Sequence, residues 1–150
     1  MKITFNLSSS IQILKHLRDT DHSFVPELSS RVDLEVYTKK IFEKSFRIEA
    51  WDGKCLIGLI AVYLNFDKKK AFITNLSVSP SFIGNGSAQL LLNKCTDYLR
   101  EKKIAILELE VDEYNTRAMN FYFKNGFKIF KNQARTICLS LNLKKDEERL

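Results

Sequence analysis

Between Phe46 and Val78 the chain spells three strands in succession, separated by two tight turns, and that run restricts the folds open to it. Phe46 to Trp51 alternates as a strand, and Asp52-Gly53 is a strong hairpin signal. Leu56 to Phe66 continues as a long strand, Asp67 to Lys70 turns it again, and Ala71 to Val78 runs on to Pro80. Strands joined this tightly are antiparallel neighbours. The sheet they form must bury an apolar face against other elements.

The flanking sequence supplies those elements. Ile3 to Leu7 reads as a short strand, and Ser8-Ser9-Ser10 offers N-caps for a helix carrying Ile11, Leu14 and Leu17. A loop with Phe24-Val25-Pro26 leads to a second helix, capped by Asp33 and running through Val36, Ile41, Phe42 and Phe46. Beyond Pro80, Gly86 to Lys102 has helical spacing at Ala88, Leu91, Leu92, Cys95 and Leu99. Ile104 to Val111 alternates as a strand, and Asn115 to Asn125 is a helix stopped by Gly126. Phe127 to Phe130 and Thr136 to Leu141 form a last pair of strands, and the tail from about residue 143 is expected to fray. This order implies one α+β layered domain over residues 1–150, built around a mixed sheet.

Composition narrows the function classes. Hydrophobic residues at 45% and charged residues at 28% are an ordinary globular balance. No apolar run approaches the roughly 20 residues needed to cross a bilayer. Met1 to Asn6 lacks a signal-peptide segment, so a cytoplasmic location is expected and a membrane partner is not. Cys55, Cys95 and Cys138 are widely spaced without a C-x-x-C pair, which argues against a metal site; all three read as buried free thiols. The only histidines, His16 and His22, lie in the N-terminal region, where nothing else of a catalytic triad stands near them in sequence. The net charge of +6 favours an anionic partner, and a small polyanionic cofactor accounts for it as well as nucleic acid would. Nucleic acid is not expected, because the basic residues are scattered and no stripe with interleaved exposed aromatics is present.

The strand ending at Val78-Ser79-Pro80 is followed by Gly84-Asn85-Gly86 and then by the helix beginning near Ser87. Closely spaced glycines at a helix start let backbone N–H groups converge on an anion, aided by the helix macrodipole. A P-loop would end in Gly-Lys-Ser/Thr, whereas this turn ends in Gly86-Ser87-Ala88. A dinucleotide fingerprint would place a third glycine where Gln89 stands. On its own the turn is equally a plain tight turn capped by Ser87 or Asn85. Further on, Asn115, Ala118 and Tyr122 share one helical stripe, followed by Gly126-Phe127.

Together these two segments resemble the paired signatures of the GNAT superfamily of acyl-CoA-dependent N-acetyltransferases. The similarity covers about residues 46 to 130. It implies a GNAT-like central mixed, mostly antiparallel sheet of about six to seven strands flanked by about four helices, with a splayed strand pair holding CoA. By the same resemblance, the turn Ile83, Gly84, Asn85, Gly86, Ser87 and Ala88 binds the CoA pyrophosphate through backbone N–H groups. Ile83 departs from the usual Gln or Arg of the family. Leu76 and Val78 bond the pantetheine amides through their main chain, Asn115 contacts the cofactor or caps its helix, and Tyr122 protonates the leaving thiolate. The implied reaction is direct transfer from acetyl-CoA to a primary amine, without a covalent enzyme intermediate, and no metal is expected.

The general base is not fixed by the resemblance, since the strand at 71–78 carries no carboxylate. Glu108 and Glu110 are the candidates, with solvated strand residues as the alternative reading. Arg31, in Pro26-x-Leu28-Ser29-x-Arg31, resembles a feature of GNAT enzymes found with surface-polysaccharide synthesis. It would pair an acceptor phosphate, or else Asp33 or Glu35 at the surface. The expected partner is a small amine such as an amino sugar or sugar nucleotide, with a homodimer left open. A protein N-terminus or lysine is the alternative acceptor, and a non-catalytic acyl-CoA sensor is the alternative of another class.

Overall fold

The computed structural model describes residues 1–144. The strands are β1 (Lys2–Phe5), β2 (Phe46–Asp52), β3 (Cys55–Asn65), β4 (Lys70–Val78), β5 (Ile106–Asp112), β6 (Lys128–Gln133) and β7 (Thr136–Asn142). The helices are α1 (Ser10–Thr20), α2 (Leu34–Lys44), α3 (Ser87–Glu101) and α4 (Thr116–Lys124). All seven strands form one sheet in the order β1-β2-β3-β4-β5-β7-β6. Every pairing is antiparallel except β4 with β5, which is parallel. The expected α+β architecture is therefore present. No described helix is long and apolar enough to cross a membrane.

Local chemistry explains the helix starts. Ser9 and Gln12 form a reciprocal capping box at α1, and Asp33 accepts the Val36 amide at 3.0 Å to cap α2. The buried stripes differ from those expected. On α1 it is Ile13, His16, Leu17 and Thr20 that face inward, and Ile11 is 80% exposed. On α2 the inner face is Leu34, Tyr37, Thr38 and Ile41, leaving Val36 and Phe42 outside, and Phe46 already belongs to β2. These stripes follow the i, i+3, i+4, i+7 rule through polar residues, whereas the expected ones followed apolar residues off the helical period. The first hairpin turns one residue later than expected, at Gly53-Lys54, because Asp52 still pairs with Cys55. Cys55 at that strand end is exposed, contrary to expectation, whereas Cys95 and Cys138 are buried. Leu143, expected to fray, is buried and donates its amide to Ala105 at 2.8 Å; the rest of that tail, from residue 145, lies outside the described residues.

The sheet is covered on both faces. Ile13, Leu17, Ile41, Leu59 and Ala61 pack beneath α1 and α2. Ile60, Val62, Ile73, Leu91, Cys95, Leu99 and Leu107 form the larger core beneath α3, with Tyr122 of α4 joining it. The start of α1 is fixed by a buried ion pair on β2. Glu49 accepts from the Thr4 hydroxyl, the Leu7 and Ser8 amides and the Ser8 hydroxyl. Arg47 reaches the Ser8 and Phe42 carbonyls and lies 3.4 Å from the Glu49 carboxylate. Burial opposes ionisation of Glu49, yet these donors outweigh it and hold the carboxyl below its usual range.

Helix α3 packs closely on β3 at Gly58. A Cβ there would lie 2.9 Å from Leu91 Cδ1 and 3.2 Å from Ala50 Cβ. Both neighbours are fully buried, so neither has room to withdraw. Gly58→Ala should destabilise the fold by about 1–3 kcal/mol through overpacking. Urea unfolding of the variant against the parent measures this, and an unchanged midpoint would deny the close approach.

Candidate active site

The parallel pairing of β4 with β5 is short. It covers Lys70 to Ile73 against Ile106 to Leu109 and then ends. Beyond that point β4 continues along β3 and β5 continues along β7, so a gap opens between them. The register of β3 with β4 shows why. Val62 pairs with Ile73 and Ala61 with Asn75, leaving Thr74 as an extra residue on β4. Such a bulge bends the strand and re-aims its side chains. Val62 and Ile73 belong to the core under α3, whereas Ala61 belongs to the core under α1 and α2. Asn75 and Ser77 are thereby turned towards α1. Tyr37 of α2 secures the bulge by donating its hydroxyl to the Thr74 carbonyl at 2.6 Å.

A cleft of about 550 Å³ occupies the gap. Ile73 to Val78 of β4 form one wall and Leu109 to Asp112 of β5 the other. The turn before α3 contributes Phe82, Ile83, Gly84 and Gly86, and α4 contributes Asn115, Ala118 and Tyr122. The loop between α1 and α2 closes it with Ser23, Phe24, Val25 and Arg31. Where the strands part, each loses its ladder partner, and an extended ligand bearing amides can take the vacant position.

The glycine turn has the geometry an anion needs. Gly84 and Gly86 sit at φ +90° and +85°, a conformation that side-chain-bearing residues rarely adopt, and the space where a Cβ would stand is open at both. Helix α3 follows with 15 residues, and its first amides have no acceptor within the helix. Asn85 does not line the cleft. Its side-chain oxygen accepts the Ser87 amide at 3.2 Å and the Ser87 hydroxyl at 2.5 Å, which holds the turn. Ser87 and Ala88 do line the cleft, and Ile83 does so while packing against the core. The residues of the turn fit a pyrophosphate held by backbone donors, with Arg117 and Lys124 of α4 lining the same cleft.

On α4, Asn115 caps its helix by accepting the Ala118 amide at 3.2 Å. Tyr122 is 8% exposed and packs edge-on against Phe121 and Phe127. Burial, with Cys95 close by, pushes its phenol well above the ordinary range, so the hydroxyl stays protonated. Among the described residues that hydroxyl makes no hydrogen bond, and the ring lines the cleft. It is a proton donor without an acceptor.

The two candidate carboxylates separate. Glu110 stands beyond the last β4–β5 pair and lines the cleft. Glu108 is still within the paired segment, opposite Phe72, and its carboxylate lies 3.9 Å from Lys70 Nζ, away from the cleft. Arg31 is exposed at the cleft and pairs with neither Asp33 nor Glu35; Glu35 lies instead 3.5 Å from Arg18.

Three residues of this region were not expected at the site from sequence. His16, fully buried on α1, places Nε2 2.8 Å from Ser77 Oγ and Nδ1 3.1 Å from the Leu56 carbonyl. Ser77 Oγ in turn lies 2.7 Å from Asn75 Oδ1. Asn75 and Ser77 both line the cleft. The signals were polar residues at alternate positions near the end of β4, and a histidine on the buried stripe of α1. Among the described residues, no cluster of three potential metal ligands occurs.

Comparison with known proteins places these features. The sequence matches the acetyltransferase (GNAT) family over residues 12–127. No curated protein matches it. Among solved structures, the PaiA N-acetyltransferase from Thermoplasma acidophilum, solved with coenzyme A, superposes with a TM-score of 0.76 at 17% identity, covering 95% of this chain and 99% of that one. The ribosomal-protein-S18-alanine N-acetyltransferase from Escherichia coli gives 0.76 at 17% identity, covering 95% and 94%. An aminoglycoside 6'-acetyltransferase of type Ii gives 0.79 at 17% identity, covering 95% and 97%.

Acid should weaken the fold through His16. Burial depresses its pKa from the ordinary 6.5 to about 4, partly offset by the Leu56 carbonyl, Asp19 and Ser77. The unfolded chain therefore takes up this proton first, so the stabilisation is complete above about pH 6.5 and lost as the pH falls towards 4. The loss amounts to about 3 kcal/mol. Urea midpoints measured across that range should fall for the parent, and the share owed to this group should vanish in His16→Gln.

Proposed function

The chain belongs to the acetyltransferase (GNAT) family, and on that premise we propose that it transfers an acetyl group from acetyl-CoA to the primary amine of a small molecule by direct attack. The observation that carries this reading is the unpartnered Tyr122 hydroxyl lining the same cleft as the glycine turn and the parted strands. Bound acetyl-CoA would supply an acetyl group activated as a thioester. The chain's own groups then have distinct tasks. First-turn amides of α3, with the Gly84 to Gly86 backbone, hold the pyrophosphate. Leu76 and Val78 offer main-chain groups to the pantetheine arm and to the oxygen on which charge develops. Asn115 fixes the start of α4 and so the position of Tyr122. Tyr122, protonated throughout the physiological range, donates to the departing sulfur.

Glu110 is the base, directly or through water, because it stands at the cleft with no ion-pair partner among the described residues. A small acceptor is favoured over a protein segment by the α1–α2 loop, which walls the cleft with Phe24 and Val25. The exposed Arg31 guanidinium suits an acceptor phosphate, as in a nucleotide-linked amino sugar.

Acetyl-CoA titration followed by free-thiol release over amino sugars, nucleotide-linked amino sugars and peptides with free N-termini tests the proposal. Release should be strongest with the nucleotide-linked amines. Binding without release would favour a sensor, and release with peptides alone would favour a protein acceptor. Tyr122→Phe should lower turnover by about 10²-fold or more while leaving acetyl-CoA affinity nearly unchanged. Glu110→Gln should lower kcat/KM by about 10²-fold, and Glu108→Gln should leave it at the parent value.

A further inference from the structure

Helices α3 and α4 both line the cleft, and the two ends of the proposed cofactor site are divided between them. The glycine turn leads into α3, and α4 carries Tyr122. Left to itself, α4 is weakly held. It has nine residues, about two and a half turns, and Tyr122 alone among them is buried. Helices this short are marginal in isolation. The Asn115 cap secures its start.

Its end is secured by a pair of side-chain amides. The Asn125 side-chain nitrogen donates to the Phe121 carbonyl at 2.8 Å and to Gln89 Oε1 at 3.1 Å. Gln89, in the first turn of α3, donates from Nε2 to Asn125 Oδ1 at 2.7 Å and to Asn93 Oδ1 at 2.9 Å. Each side-chain N–H of the two amides therefore has its own acceptor. A backbone carbonyl can only accept, so Phe121 fixes the orientation of the Asn125 amide, and the reciprocal bonds then fix that of Gln89. Turning either amide over alone would set like atoms against like. The pair is half-buried and joins residues 36 positions apart.

We propose that Gln89 and Asn125 are positioning residues for Tyr122, their reciprocal amide pair setting the spacing between the glycine turn and the phenol. The Tyr122 carbonyl accepts the Asn125 and Phe127 amides at 3.0 and 3.1 Å, so the tethered turn and the tyrosine move together. Both partners are uncharged, and an anion held at the start of α3 exerts no net pull on them. A Lys–Glu pair at the same place would be drawn apart by it. The alternative, in which Gln89 is itself a ligand to the anion, is disfavoured because both of its N–H groups are already taken. The assignment rests on the acetyl-transfer reading for the task of Tyr122, though not for the tether.

The test compares the full parent chain with Gln89→Leu and Asn125→Leu. Amide hydrogen exchange without cofactor comes first. Gln89→Leu should speed exchange of the Asn125 and Phe127 amides by about 10-fold, as for loss of a hydrogen-bonded tether, while the Cys95 amide within α3 keeps the parent rate. In thiol release with acetyl-CoA and an accepted amine, each variant should lower kcat by about 10-fold with acetyl-CoA affinity kept. In the Tyr122→Phe background the same substitutions should cost no further rate, which a merely structural role would not predict. Unchanged exchange in α4, equal kcat losses in both backgrounds, or a fall in acetyl-CoA affinity with kcat kept would overturn the assignment. Thermal midpoints of the variants separate these effects from misfolding. If the parent released no thiol with any amine while exchange in α4 still answered to Gln89→Leu, acetyl transfer would fail and the tether of Tyr122 to α3 would stand.

Discussion

One extra residue in β4 governs the shape of this molecule's cleft. Thr74 has no opposite number on β3, and just there the parallel pairing with β5 ends. A strand with a bulge bends, and two strands that part leave main-chain groups facing a gap. The same insertion changes which layer the following side chains address. Ile73 lies in the core under α3, whereas Asn75 and Ser77 meet His16 beneath α1. The opening for a ligand and the polar lining of that opening thus have a common origin. Tyr37 holds the bulged residue in place from α2, so both N-terminal helices contribute to the geometry of a site whose motifs lie further along the chain.

Two buried polar arrangements meet α1 or its start, and their difference is instructive. Around Arg47 and Glu49 the donors and acceptors are matched, and the fully buried carboxylate keeps its charge because several donors converge on it. A satisfied network of this sort rigidifies the entry to α1. Around Ser77 the matching is poorer, with the Asn75 side-chain nitrogen buried and without a hydrogen bond. Both are enclosed by the same helix and sheet, so burial alone does not separate structural from functional polarity.

Division of labour within the cleft follows from exposure. Tyr122 is enclosed by aromatic rings and stays protonated, which suits a donor. Glu110, two residues beyond Glu108 on the same strand, is past the end of the ladder and reaches the cleft. Glu108 remains beside Lys70 within it. The glycine turn is maintained by Asn85, whose side chain ties Ser87 and does not line the cleft. Ile83 packs on the core, and the cationic residues that line the same cleft, Arg117 and Lys124, come from α4.

Much of this was legible in sequence because it rests on local rules. Strand alternation, a cap within Ser8 to Ser10, the Asp33 cap, the stop at Gly126 and the glycine turn at 84 to 86 depend on residues within a few positions of one another. Element order and the two motifs followed from them. The inward faces of α1 and α2 did not, because apolar residues alone misplace a stripe that includes His16, Thr20 and Thr38. Still less could sequence reveal that His16 meets Ser77, 61 positions away, or that Glu110 and not Glu108 reaches the cleft. Those facts depend on register and on where a parallel ladder stops, and only the packed sheet with its single extra residue decides them.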